Sequence, residues 1–241
     1  MTSNQIKLIA CISMLIDHIG VMLFPQVKVL RWIGRLAMPL FAFCIAEGAL
    51  HTSNRKRYFL RMFLLGVLCQ IVYAAEEILG GELRSVYLNI LFTFSFAALL
   101  CFAYLEMEKA LQSGEKKEIF RGVSIFAGAL AAVLLFEIFC TFSKTLIGVK
   151  ITLDYGAGGI MLPLFALSRK QHPKRLLVYS IGLVLFCLSM CTYMPYIWFA
   201  LLDIPLLFFY NGKRGKYASK YAFYVFYPLH LAVLYGIGMV I

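Results

Sequence analysis

The chain has 241 residues, 62% of them hydrophobic and only 15% charged, with 23 Lys and Arg against 12 Asp and Glu for a net charge of +11. A water-soluble domain is about half apolar and a quarter charged, so this composition excludes an ordinary soluble enzyme and points to an all-α, polytopic membrane bundle in which residues 1–241 form one transmembrane domain. The positive charges lie in short loops between apolar runs, which excludes a nucleic-acid groove and reads as membrane topology.

A crossing helix needs roughly 20 mostly apolar residues. Nine runs qualify, at about 5–24, 30–50, 57–76, 86–107, 119–142, 153–169, 175–192, 195–210 and 218–241, the sixth to eighth being short. The first is longer than a signal-peptide core and lacks a small-residue cleavage pattern, so it is expected to be a retained helix. Alternate loops carry four basic residues each, from Arg55–Arg61, Lys109–Arg121, Arg169–Arg175 and Lys213–Lys220, which is 16 of the 23. The opposite loops are poor in basic residues: "EEILGGELRS" is acidic and "CTYMPY" has none. The positive-inside rule then puts the N-terminus in the cytoplasm and the C-terminus outside, a multi-pass cell-membrane protein whose surroundings are the lipid bilayer. All seven cysteines fall inside apolar runs, where Cys is a common packing residue, and no spacing suggests a disulfide framework or a metal site.

The first run carries "MLIDHIGVMLF", with Asp17 and His18 adjacent in a segment that should be apolar. Intramembrane ionisable residues usually face a bundle interior and mark functional sites. Lys7 and His18 are 11 residues apart, which places them within about 20° of one helix face and ~16 Å apart along the axis. That track suits a long anionic ligand with its charged end at Lys7 and its reactive end at His18. The alternative is a snorkelling lysine and a structural histidine. Asp17 lies about 100° around the helix from His18, so its partner is expected on another helix.

The second run, "LRWIGRLAMPLFAFCIAEGALH", holds Arg31 as an interfacial anchor and, deeper, Arg35, which needs a carboxylate; Asp17, Glu137 and Asp154 lie at plausible depth. Pro39 opens backbone carbonyls. Glu47 falls near the basic loop 2–3, where a plain ion pair competes with a role at the site. Asn89 and Thr93 in "YLNILFTFS" suit either interhelical hydrogen bonds or a site. In "LDYGAGGIMLPL", Asp154 is either a helix cap or the edge of a glycine-lined ligand approach that includes Tyr155. His230, in "KYAFYVFYPLHL", is either structurally bonded or functional. His172, in "RKQHPKR", reads as a solvated loop residue. No HExxH, GxSxG, Walker-type or GxGxxG motif is present, and no metal is expected.

Taken in order, "IKLIACISMLIDHIG", "LRWIGRLAMPLFAFCIAEG", "LNILFTFS", "DYGAGG" and "KYAFYVFYPLHL" resemble the TraX family, whose founding member is associated with N-terminal acetylation of conjugative pilin. That family is placed with the acyltransferase-3-like transmembrane acyltransferases. They often carry a basic residue about ten positions before a catalytic histidine in the first helix, as Lys7 and His18 do here, with Lys where Arg is common. The resemblance implies acetyl transfer from acetyl-CoA to an amine or hydroxyl of a peptide N-terminus, sugar or small molecule, without a metal. It implies His18 as general base, supported by Asp17, with Arg35 and Asn89 stabilising developing charge. The residues expected to hold the donor are Lys7, Glu47, His230, Asp154 and Tyr155. The competing expectation is a small proton-coupled transporter or flippase using the same buried Asp, His and Arg side chains, although no inverted repeat is visible. A non-catalytic assembly partner is a further possibility.

Overall fold

The computed structural model describes residues 1–79, 85–167, 172–215 and 220–239. Residues 80–84, Arg169, Lys170 and Lys216, together with the side chains of His172 and Lys220, lie outside the described residues. The expectations placed on them are therefore not tested by the structure.

Helix α1, Ser3–Met22, starts at a capping box. The Thr2 hydroxyl accepts from the Gln5 amide at 3.4 Å, and the Gln5 side chain accepts from the Thr2 amide at 2.8 Å. Two helix-end donors are thereby satisfied reciprocally. The second apolar run is broken into α2, Lys28–Gly34, and α3, Ala37–His51. Pro39 supplies the reason: it has no N–H to give the Arg35 carbonyl four residues back. At the break the Arg35 and Leu36 amides bond three residues back instead, to Trp32 and Ile33, each at 3.2 Å. The turn leaves Arg35 buried, at 3% exposure.

The remaining elements are α4 Arg55–Leu79, β1 Ser85–Leu88, α5 Ile90–Ser113, α6 Lys116–Ile147, β2 Lys150–Leu153, α7 Gly156–Met161, α8 His172–Met190, α9 Asp203–Phe208 and α10 Lys220–Gly238. Short 3₁₀ segments, Leu162–Ala166 and Ile197–Leu202, extend α7 and precede α9. The fold is all-α apart from one parallel two-stranded ladder, in register from Ser85 opposite Lys150 to Leu88 opposite Leu153. Parallel strands need a long crossover, and the α5–α6 hairpin supplies it. Within the described residues each of the nine apolar runs contains helix, the second as two helices and those at 86–107 and 153–169 after starting in the strands. Four are long and apolar enough to cross a membrane: Ser3–Met22, Lys28–His51, Ile90–Ser113 and Lys116–Ile147.

The chain packs as two compact units, one made of Met1–Glu47 and Ser168–Ile241, the other of Gly48–Leu167. In the first, α1 and α2 form a hairpin held close by glycines. A Cβ on Gly20 would lie 2.7 Å from Leu30 Cβ, and one on Gly34 would lie 1.9 Å from Asp17 Oδ1. Helices α1 and α10 run parallel, because Lys7 meets Phe223 and His18 meets His230. The chain preceding α10 secures this arrangement: Ser3 N–H bonds Lys213 O at 2.8 Å, Asn4 N–H bonds Arg214 O at 3.1 Å, and Asn211 N–H bonds Met1 O at 2.8 Å. Helix α8 runs antiparallel to α3, with Arg175 at Glu47, Tyr179 Oη donating to Pro39 O at 2.5 Å, and Met194 at Arg35.

In the second unit, Gly122 of α6 brings that helix against α5; a Cβ there would stand 2.8 Å from Ala110 Cβ. Asn89 caps α5, accepting from Leu91 N–H at 3.1 Å. Arg55 at the start of α4 pairs with Glu106 of α5.

Candidate functional site

The polar centre of the first unit is assembled by α1, α2 and α10. Asp17 points from α1 toward the α2 side. Its Oδ2 accepts from Arg31 Nη1 at 2.5 Å and its Oδ1 from Arg35 Nη2 at 2.6 Å. One carboxylate thus holds two guanidiniums, leaving one net positive charge among the three. The pair spacing follows from helix geometry, since Arg31 and Arg35 are four residues apart and share a face. Gly34 between them provides the space into which Asp17 enters. Arg35 also donates from Nε to Arg31 O at 3.2 Å, and its Nη1 lies 3.2 Å from Met194 Sδ.

His18 points elsewhere, as a residue 100° around the helix must. Its Nδ1 lies 2.8 Å from His230 Nε2 on α10, with ring centroids 5.0 Å apart. His230 is 6% exposed. Its own Nδ1 lies 2.7 Å from Phe226 O, its ring stacks on Phe226 at 4.6 Å, and Tyr227 meets it edge-on at 5.8 Å. Toward the start of the same helix pair, Lys7 Nζ stands 5.6 Å from the Phe223 ring centroid. Lys7 and His18 therefore both face α10, the common face their spacing implies. A cation over an aromatic face gains about 0.5–1 kcal/mol at an exposed site, which holds the ammonium without neutralising it.

The structure brings together Asp17, His18, Arg35 and His230 from the sequence-derived candidates. It sets His230 on His18 rather than beside Lys7, with which it was grouped as a donor-holding residue. Glu47 is engaged elsewhere in the first unit. Arg175 Nη1 pairs with its Oε1 at 2.5 Å, Tyr210 Oη donates to its Oε2 at 2.5 Å, and Arg175 also stacks over Phe43 at 4.8 Å. An ion pair of Glu47 thus forms with Arg175 at the base of α8. Arg31, read as an interfacial anchor, is a full partner of Asp17. Its spacing from Arg35 was the signal. Met194 and the Phe226 carbonyl carried no signal in the sequence.

Asn89, Asp154 and Tyr155 belong to the second unit. Asn89 is 1% exposed and spends its amide donors on Gly66 O at 3.0 Å and Gln70 Oε1 at 3.1 Å. Thr93 Oγ1 donates to Asp154 O at 2.6 Å. Tyr155 is the only described non-glycine residue with positive φ, at 57°, and Gly156 follows at 48°. This turn aims the Ala157 amide at Glu137, whose Oε2 accepts it at 2.9 Å. A Cβ on Gly156 would lie 2.8 Å from Glu137 Oε1, so glycine is needed there twice over. Among the described residues, no group of three or more His, Cys, Asp or Glu could hold a metal ion.

Comparison with known proteins places this geometry in context. The TraX protein family profile matches residues 2–238. The "Probable fimbrial assembly protein FimC, serogroup H1" of Dichelobacter nodosus is 30% identical, across 95% of this chain and 93% of that protein. The "Uncharacterized protein RP591" of Rickettsia prowazekii (strain Madrid E) is 34% identical across 39% of this chain and 37% of that one. No solved structure matches.

Proposed function

We propose, on the premise that this chain is a member of the TraX family, that it is a membrane-embedded acyltransferase. It moves an acetyl group from acetyl-CoA to an amine or hydroxyl acceptor, with His18 as general base. The observation that carries this reading is the setting of His18: an imidazole held at one ring nitrogen by His230, beside a carboxylate–diarginine cluster, within an apolar helix. Nothing about packing requires such a group there, and intramembrane ionisable residues are retained for function.

The chemistry assigned to these residues is simple. The acceptor nitrogen or oxygen attacks the thioester carbonyl carbon and gives its proton to His18. The carbon–sulfur bond breaks, and the sulfur leaves as a thiol once it takes up a proton. Negative charge develops on the carbonyl oxygen during attack. The guanidiniums of Arg31 and Arg35 favour it electrostatically. Lys7, ~16 Å along the helix from His18, suits the phosphates of the donor. The name of the Dichelobacter relative, a probable fimbrial assembly protein, supports the terminal amine of a pilus subunit as acceptor, over a sugar or small molecule.

The same reading gives the chain nine crossings with a cytoplasmic N-terminus. The parallel α1 and α10 agree with an odd total. The eighth crossing uses Ile197–Phe208, in which six 3₁₀ and six α-helical residues extend about 21 Å at 2.0 and 1.5 Å per residue. Its flanks reach Arg35 through Met194 and Glu47 through Tyr210, opposite ends of the second run.

The test is acetyl-CoA binding to the purified full chain, followed by thermal shift in detergent. A ligand at 100 times its Kd stabilises by about 2.7 kcal/mol, so a clear concentration-dependent rise in Tm is expected, with none from acetate. No rise at millimolar acetyl-CoA overturns the reading.

A further inference from the structure

We infer that His230 is a positioning residue that fixes the proton of His18 on Nδ1 and so leaves Nε2 of His18 as its bare, proton-accepting nitrogen. The inference rests on the acyl-transfer reading only for what that nitrogen then does.

The argument starts at a backbone carbonyl. His230 Nδ1 lies 2.7 Å from Phe226 O, and a carbonyl oxygen can only accept. His230 Nδ1 must therefore carry a hydrogen. A neutral imidazole has one N–H and one lone pair, so His230 Nε2 is bare. That bare nitrogen stands 2.8 Å from His18 Nδ1, and two lone pairs do not meet at that distance. His18 Nδ1 consequently carries the second hydrogen and donates it, and His18 Nε2 holds the lone pair. The chain of donors has one direction, from His18 to His230 to Phe226. Reversing it would set a His230 lone pair against the Phe226 carbonyl. Protonating His230 on both nitrogens would place a charge on a side chain only 6% exposed, packed against Phe226 and Tyr227, which is costly.

The surroundings hold His230 in the orientation this chain requires. Phe226 stacks on its ring with planes 10° apart, and Tyr227 closes an edge. Which nitrogen of a histidine is protonated is set by the bond the other nitrogen makes. His230 and the Phe226 carbonyl together play the orienting part that a buried carboxylate plays for other general bases. Asp17 does not take that part in this geometry: its carboxylate is turned to Arg31 and Arg35, while His18 Nδ1 faces His230.

The test reads protonation directly. The chain has four histidines, His18, His51, His172 and His230. In a His51→Gln, His172→Gln background labelled with ¹⁵N-histidine, only the two site rings contribute imidazole signals. Both are expected to show a protonated Nδ1 and a bare Nε2 near neutral pH. A His18 ring with a protonated Nε2 and a bare Nδ1 overturns the inference, whatever the activity. In His230→Phe, which keeps an aromatic ring but removes the acceptor, the His18 proton is expected to move to Nε2. In His230→Gln, whose carboxamide oxygen can accept from His18 Nδ1, the native form is expected to return. With acetyl-CoA as donor, His230→Phe should lower kcat about 100-fold with the donor KM unchanged, and His230→Gln should recover much of it. A loss confined to KM would contradict a positioning role. If acetyl-CoA is not a substrate but the ¹⁵N signals are as stated, the acyl-transfer reading fails and the positioning of His18 stands. Should the variants fail to fold, the spectrum of the unsubstituted site decides alone.

Discussion

The two units use intramembrane polar residues in opposite ways. In Gly48–Leu167 the polar side chains bond mostly to backbone. Asn89 caps α5 and ties down Gly66 O, Thr93 holds Asp154 O, and Glu137 receives the Ala157 amide. In the unit around α1 and α10, ionisable side chains also bond to one another, Asp17 to Arg31 and Arg35 and His18 to His230, while Arg35 and His230 reach the Arg31 and Phe226 carbonyls as well. Polar atoms that complete a cap or a turn are answered by the backbone they stabilise. A carboxylate held by two guanidiniums and a histidine held by a second histidine complete neither a cap nor a turn. On the proposed acyl transfer, the comparison assigns chemistry to the cluster around α1 and α10 and treats the cap and interhelical bonds of Asn89 as structural.

The sharpest way to break this comparison is at Asp17. Asp17→Ala leaves Arg31 and the buried Arg35 without their carboxylate, and unpairing a buried ion pair costs about 3–5 kcal/mol. A large fall in detergent Tm and loss of acetyl transfer are expected together; a variant with native Tm would show that the cluster is not the centre of its unit. Gly34→Ala approaches the same point from the other helix. Its Cβ would fall 1.9 Å from Asp17 Oδ1, so it should reproduce much of the Asp17 defect although alanine is the better helix former. Combining it with Asp17→Ala should cost little more than Asp17→Ala alone, a non-additivity measurable by a double-mutant cycle.

In the other unit Asn89→Ala removes a cap, worth about 1 kcal/mol, and its interhelical bonds. A moderate Tm decrease is expected, with kcat per folded molecule unchanged. A collapse of kcat at native Tm would return Asn89 to the site. The smallest effect is at Lys7. Lys7→Gln should raise the KM for acetyl-CoA about tenfold at constant kcat, in line with the loss of one charge-assisted contact of about 1.5 kcal/mol. An unchanged KM removes Lys7 from the donor path.

Much of this arrangement was readable in advance because hydropathy and helical phase are local properties. All nine apolar runs contain helix within the described residues, and the shared face of Lys7 and His18 was confirmed by Phe223 and His230. Asp17, one of the three carboxylates at plausible depth, pairs with Arg35. What a local pattern cannot carry is a contact between distant segments. His18 and His230 are 212 residues apart in sequence, so nothing near either one announces the other. The pairing of Glu47 with Arg175, 128 positions away in sequence, is hidden for the same reason. The break before α3 lies upstream of its cause, since a proline removes the hydrogen bond four residues back, and a hydropathy window averages across it. The strands Ser85–Leu88 and Lys150–Leu153 are four residues each, too short for an alternating pattern to stand out from the apolar runs around them.

The central claim is that His18 removes the acceptor proton during transfer from acetyl-CoA. The most direct measurement follows release of the CoA thiol by the purified full chain in nanodiscs, supplied with an N-terminal pilin peptide as amine acceptor, for the native chain and for His18→Ala. The account predicts acceptor-dependent thiol release and an acetylated peptide. Both should fall by about 100-fold or more in His18→Ala, with its detergent Tm close to native. Equal rates from the two proteins would contradict it.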